Sequence, residues 1–352
     1  MKRFAGSRVL KTGVAIFITA WICELIGWPP VFAVITAIVT VEPTVAQSIK
    51  KGIVRFPASA IGSFYAVLFI SLFGHSALTY ALAAVFTIVT TYRFKLFDGL
   101  LVATLTSVAM IEVIHDNVLA SFFIRLGTTT IGLAVSTLVN MFLLPPQYQS
   151  SITTRLKKLA KNTGETIQIV FQYAIKDEQQ DPKMLKTLDK LEAEVGKIET
   201  LVNYQQGEAT YHPLTSAENN ELKALEKQLT QLKLINYHID NVYFMASKNL
   251  RLTDDEKEKL LLYVENVANS LQASDDFNLQ EHREQLKMLV DLFWRNQSEL
   301  AEEKPKTTAF PPHFIVLYEL LSIYQLVESY FTIKPEDFQK KSPKKKLNKV
   351  EK

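Results

Sequence analysis

Trp28-Pro29-Pro30-Val31-Phe32-Ala33-Val34-Ile35-Thr36-Ala37-Ile38-Val39-Thr40-Val41-Glu42-Pro43-Thr44 is an apolar run between two proline breaks, with one carboxylate at its far end. Proline lacks a backbone N–H and ends helices, so the run reads as one helical pass over about 30–48. Similar runs lie on either side, at about 12–28, 55–73, 77–92, 97–115 and 119–144. A spanning helix needs roughly 20 apolar residues, so the first part of the chain reads as a six-span membrane domain.

The averages conceal this. Of 352 residues, 48% are hydrophobic and 21% charged, with a net charge of +3. Residues 1–149 hold 10 Lys/Arg and 5 Asp/Glu, and residues 150–352 hold the other 29 and 31. So uneven a division excludes a single soluble core and implies two bodies in two solvents. The lone Cys23 can form neither an intrachain disulfide nor a cysteine metal cluster. The first apolar run leads to Trp28-Pro29-Pro30 rather than a small-residue cleavage site, so no cleavable signal peptide is expected.

Basic residues fall in alternate connections. Lys2, Arg3, Arg8 and Lys11 precede span one; Lys50, Lys51 and Arg55 follow span two; Arg93 and Lys95 follow span four; Arg155, Lys157, Lys158 and Lys161 follow span six. The cytoplasmic bias of Lys and Arg then places both termini in the cytoplasm. Arg125 departs from the rule, near the outer end of span six.

A shift of 70 residues superposes Ala33 on Ala103, Thr36 on Thr106, Glu42 on Glu112, Arg55 on Arg125 and Gly62 on Gly132. A unit of three spans is odd, so its copies would insert with opposite topology. Inverted 3+3 repeats recur in secondary transporters, with the site at the repeat interface.

Ionisable groups inside spans are costly and are functional candidates by default. These are Glu24, Glu42, Glu112 and Arg125, with Arg55, Asp98 and Asp116 near interfaces. Glu42 precedes Pro43 and Thr44, where a broken helix frees carbonyls. Two readings stand for it: a proton- or substrate-carrying group in a buried site, or a solvated end of span two. An arginine fork suits a carboxylate substrate. It also suits an internal salt bridge or a snorkelling interfacial position, the favoured reading for Arg55 beside Lys50 and Lys51. Arg125 is the sharper candidate for anion recognition.

Gly127 to Gly132 has phosphate-loop spacing but continues Leu133-Ala134 and lacks the lysine, so no nucleotide cofactor is expected. The six histidines do not fall at metal-ligand spacing, and no nucleophile elbow appears. Enzyme function is therefore the weakest class.

Pro145-Pro146 ends the membrane domain, 1–148. From 149 to 335 the chain reads as helices near 149–176, 182–205, 216–248, 254–273, 278–301 and 311–332, an antiparallel bundle in an all-α protein. Leu222, Leu225, Leu229, Leu232 and Ile235 form one apolar stripe; Thr215–Glu218 and Thr253–Glu256 have capping-box spacing. Phe314, Leu317, Tyr318, Leu321, Tyr324 and Leu326 read as bundle core. The tail 336–352 is basic: Lys340 to Lys352 holds seven lysines and one glutamate. Such a tail is disordered and solvated, or meets anionic lipid; no motif supports nucleic acid.

The stretch 28–44 resembles the signature of the aromatic acid exporter family, part of the fusaric acid resistance-like membrane proteins. The Arg-six-Gly pattern that follows and the closing Leu143-Leu144-Pro145-Pro146 resemble it too, and the charged half resembles the C-terminal domain of its Gram-positive members. The resemblance implies a multi-pass plasma-membrane protein that exports aromatic or other small organic acids, coupled to protons. Because the chain has one six-span unit, it also implies a homo-oligomer. It supplies no established site residues. The other class is a membrane-anchored scaffold or sensor working through its helical half.

Overall fold

The computed structural model describes residues 2–113, 118–178, 181–245, 250–273, 277–302 and 311–338. Asp116 and the lysines of 340–352 lie outside them. The described residues form twelve α-helices and no strand. The chain divides into two compact units: residues 1–147 with Tyr204–Pro213, and residues 148–203 with 214–352.

The first unit contains α1 (Lys2–Ile26), α2 (Val31–Thr40), α3 (Val45–Phe73), α4 (Ala77–Arg93), α5 (Leu100–Val113) and α6 (Val118–Phe142). Every apolar run of the sequence thus becomes a helix, but the lengths are uneven. In this unit Gly6–Ile26, Val45–Phe73 and Val118–Phe142 are long and apolar enough to cross a membrane. The α2 helix has 10 residues and α5 has 14, or about 15 and 21 Å at 1.5 Å per residue. Both fall short of a full span.

The third helix begins at Val45, ten residues before the expected start of span three. Thr44 caps it, its hydroxyl accepting from the Gln47 N–H at 3.1 Å. Lys50, Lys51 and Arg55 therefore lie on the first three turns of α3 rather than in a connection. Pro43 lies outside both helices, in the break between α2 and α3 that it was expected to make.

The packing follows the 70-residue shift. Under it α1, α2 and α3 correspond to α4, α5 and α6. The α3 helix packs on α5 and α2 on α6; α3 packs on α4 and α1 on α6; α1 packs on α2 and α4 on α5. Each of these pairings has its counterpart.

The second unit contains α7 (Gln149–Ile175), most of α8 (Lys183–Ala209), α9 (Ser216–Tyr243), α10 (Asp254–Gln272), α11 (Leu279–Glu302) and α12 (Pro312–Thr332). The α7 helix packs against α9 and α10, and α12 against α9 and α11. The stripe of α9 is buried as expected, and both capping boxes form, at Thr215 and Thr253. The α12 helix is also apolar and long enough to cross a membrane. It buries Phe314, Leu317, Leu320, Ile323, Tyr324 and Val327 among its neighbours. Tyr318, expected in that core, is exposed, because the buried face runs through Leu320 and Ile323 instead. Pro335–Phe338 form a 3-10 turn on α9, with Lys227 over the Phe338 ring, so residues 336–338, expected in the tail, belong to this turn.

Candidate functional site

The break between α2 and α3 leaves backbone carbonyls without helical partners. Side chains from elsewhere in the unit meet four of them. Arg55 Nη1 donates to Val39 at 2.8 Å, Ser48 Oγ to Thr40 at 3.0 Å, Arg8 Nη2 to Val41 at 3.2 Å, and Asn140 Nδ2 to Glu42 at 3.1 Å. Asn140 is held in turn by Lys11, whose Nζ donates to its side-chain oxygen at 2.8 Å. Lys11 and Asn140 are both buried. The sequence places Lys11 among the basic residues ahead of span one; Asn140 was passed over, and its available signal was an amide within an apolar run.

Glu42 lies in this knot, 9% exposed. Its Oε1 accepts from Arg55 Nη2 at 2.9 Å and its Oε2 from Lys51 Nζ at 3.0 Å. Arg55 completes its fork by donating from Nε to the Asp98 carbonyl at 3.3 Å. Arg55 and Glu42 thus form an internal ion pair. The N-terminus of α3 has a further partner, as the Val45 N–H donates to Glu208 Oε2 at 3.1 Å. Glu208 is buried, pairs with His212 at 2.7 Å, and belongs to the Tyr204–Pro213 segment of the same unit.

Arg125 is placed differently. It is 3% exposed, and its Nη2 donates to Thr106 Oγ1. Its Nε and Nη1 are buried with no hydrogen-bond partner among the described residues. The guanidinium lies over the Phe32 ring, 4.4 Å from the centroid, a cation–π contact. Beside it is a cavity of about 140 Å³ lined by Pro29, Phe32, Met110, Val113, Ser121, Ile124, Arg125 and Thr128. A buried guanidinium with open donors is costly unless something accepts from it. A carboxylate takes two parallel bonds from such a fork.

The remaining candidates do not join these two sites. Glu112 is exposed and accepts from the Tyr80 hydroxyl. Glu24 is exposed near the C-terminal end of α1. Gly127 to Gly132 lies within α6 and makes no loop. Among the described residues no cluster of His, Cys, Asp or Glu could hold a metal ion.

Comparison with known proteins gives the family. Residues 3–143 match the model of aromatic acid exporter family member 1, which spans both charged sites. The chain belongs to the aromatic acid exporter family. Its relatives match over nearly their whole length. A UPF0421 protein of Oceanobacillus iheyensis is 46% identical over 334 residues, covering 94% of this chain and 96% of its own length. A Bacillus cereus UPF0421 protein is 41% identical, covering 92% of each chain. One from Staphylococcus haemolyticus is 36% identical, covering 95% of this chain and 98% of its own. Membership in an exporter family and the apolar helices make this a membrane protein. The family match ends where the Arg125 helix ends, so the second unit lies beyond it.

Proposed function

We propose that the protein exports small organic acids, aromatic carboxylic acids foremost, across the plasma membrane in exchange for protons. The observation that carries this reading is Arg125: a buried guanidinium with two open donors, an aromatic face at Phe32 and an adjoining cavity. A cavity of about 150 Å³ holds a benzene ring, and the 140 Å³ beside Arg125 is close to that size. The carboxylate would accept from Nε and Nη1 while the ring lies against Phe32 and Met110. Glu42 and Glu112 are the proton-carrying candidates, each at the end of a short helix.

In this reading α1 to α6 form the membrane domain, the short α2 and α5 pack inside it, and both termini face the cytoplasm. The second unit is a cytoplasmic bundle that gates or oligomerises, and its apolar α12 is bundle core. The transported pathway is completed by a homo-oligomer, and the basic tail meets anionic lipid.

The test is flux of labelled benzoate in liposomes, with and without a pH gradient, for wild type, Arg125→Ala and Glu42→Gln. Gradient-driven flux that is lost in Arg125→Ala supports the proposal. Folded protein that moves no acid of a broad aromatic panel overturns it in favour of the scaffold.

A further inference from the structure

The two halves of the first unit obey the 70-residue shift in three dimensions. Gly62 lies on Ala103 and Gly132 on Ala33: a Cβ on either glycine would stand 2.2 or 2.4 Å from the facing carbonyl oxygen. Adding 70 to one partner of the first contact and subtracting 70 from the other yields the second. Ser59 and Thr129, themselves 70 apart, meet at 3.3 Å between hydroxyls. An approximate two-fold axis therefore passes between them.

The charged ends break this symmetry. At Arg55 the fork is complete: Nε bonds the Asp98 carbonyl, Nη1 the Val39 carbonyl and Nη2 Glu42. The site is also sealed, since a Cβ on Gly99 would stand 2.4 Å from the Ala58 Cβ. The equivalents of Gly99 and Ala58 are Pro29 and Thr128, which line the cavity at the other end. The equivalents of the three acceptors are Trp28, Ala109 and Glu112. Arg125 has bonds to none of these, and Glu112 is bonded to Tyr80. The nitrogens of Arg125 left without partners, Nε and Nη1, are the two that the symmetry assigns to the carbonyls of Trp28 and Ala109.

We infer that the protein has a second conformation, the image of this one under exchange of its halves. In it Arg125 bonds Glu112 and the carbonyls of Trp28 and Ala109, and its pocket closes between Pro29 and Thr128. Arg55 leaves Glu42, and a matching anion pocket opens between Gly99 and Ala58. Bistable packing of this kind moves between discrete arrangements, and an anion that occupies either pocket shifts the balance toward that state. The inference rests on the transport reading, since it gives one anion path two alternately open ends.

Val54 and Ile124 are repeat equivalents, one at each pocket. Each is replaced by cysteine in a Cys23→Ser background, and the full chain in liposomes is treated with a charged maleimide. Ile124→Cys is expected to label quickly and Val54→Cys slowly. Adding Glu42→Gln, which releases Arg55, is expected to slow the first and speed the second, each by roughly tenfold. Adding Glu112→Gln is expected to move the ratio the opposite way, which keeps the test open should Glu42→Gln not fold. A ratio that neither variant changes, or that both move in one direction, overturns the inference. Benzoate flux in the same liposomes separates the two ideas. Flux without the labelling exchange removes the second conformation alone, and exchange without flux removes the exporter reading alone.

Discussion

Arg55 and Arg125 occupy equivalent positions and differ in what their nitrogens meet. Arg55 spends its donors on Glu42 and two carbonyls, so Arg55→Ala leaves a buried carboxylate with Lys51 as its remaining cation. Breaking a buried pair from one side costs about 3 kcal/mol or more. The expected outcome is a large loss of thermal stability in detergent, with Glu42→Gln losing distinctly less because no charge is stranded. Among the described residues Arg125 has no such pair to lose. For Arg125→Lys the prediction is near-normal stability and benzoate binding weakened by about tenfold, read by titration calorimetry, because an ammonium keeps the charge and loses the planar fork. Equal binding by the lysine variant would mean that the fork is not what recognises the anion.

At the scale of elements, close helix approach rests on a few small residues. Gly62 and Gly132 admit a neighbouring carbonyl where a Cβ would overlap it, whereas a Cβ at Gly13 meets nothing within 4 Å. Gly62→Ala and Gly132→Ala are each expected to destabilise by about 1–3 kcal/mol through overpacking. Gly13→Ala is expected to be neutral or to stabilise by up to about 1 kcal/mol through helix propensity. Unfolding in graded denaturing detergent compares the three, and a loss at Gly13 equal to the others would refute the packing argument. In the second unit Thr253 caps α10 in a reciprocal box with Glu256, and Thr253→Ala should cost about 1 kcal/mol. That box was legible because it needs only two residue types at a fixed spacing. The start of α3 was not, because Lys50 and Lys51 look like a loop until Thr44 is seen to cap the helix ahead of them.

Across the whole molecule, the second unit carries its own pH dependence. His282 is buried, bonds the Tyr324 carbonyl at 2.9 Å through Nε2, and stacks on the Tyr324 ring. Burial pushes its imidazole below the ordinary value of 6.5. The unfolded ring takes a proton near pH 6.5 and the folded one resists it, so this contribution to stability is complete above that value and is lost as pH falls below it. The melting temperature should therefore drop between pH 7 and 5, and His282→Gln should flatten that drop. The sequence by itself determined that the chain is all-helical and in two parts, where its apolar runs lie, and that a 70-residue unit repeats with its Glu, Arg and Gly in register. Those properties are carried by composition and spacing along one chain. Tertiary structure alone decided that Glu42 pairs with Arg55 while Arg125 keeps two open donors, that α2 and α5 are short, and that Lys11, Asn140 and Glu208 are buried at the helix break. Two identical motifs read the same in one dimension, and only the packing around each sets which carboxylate its arginine can reach.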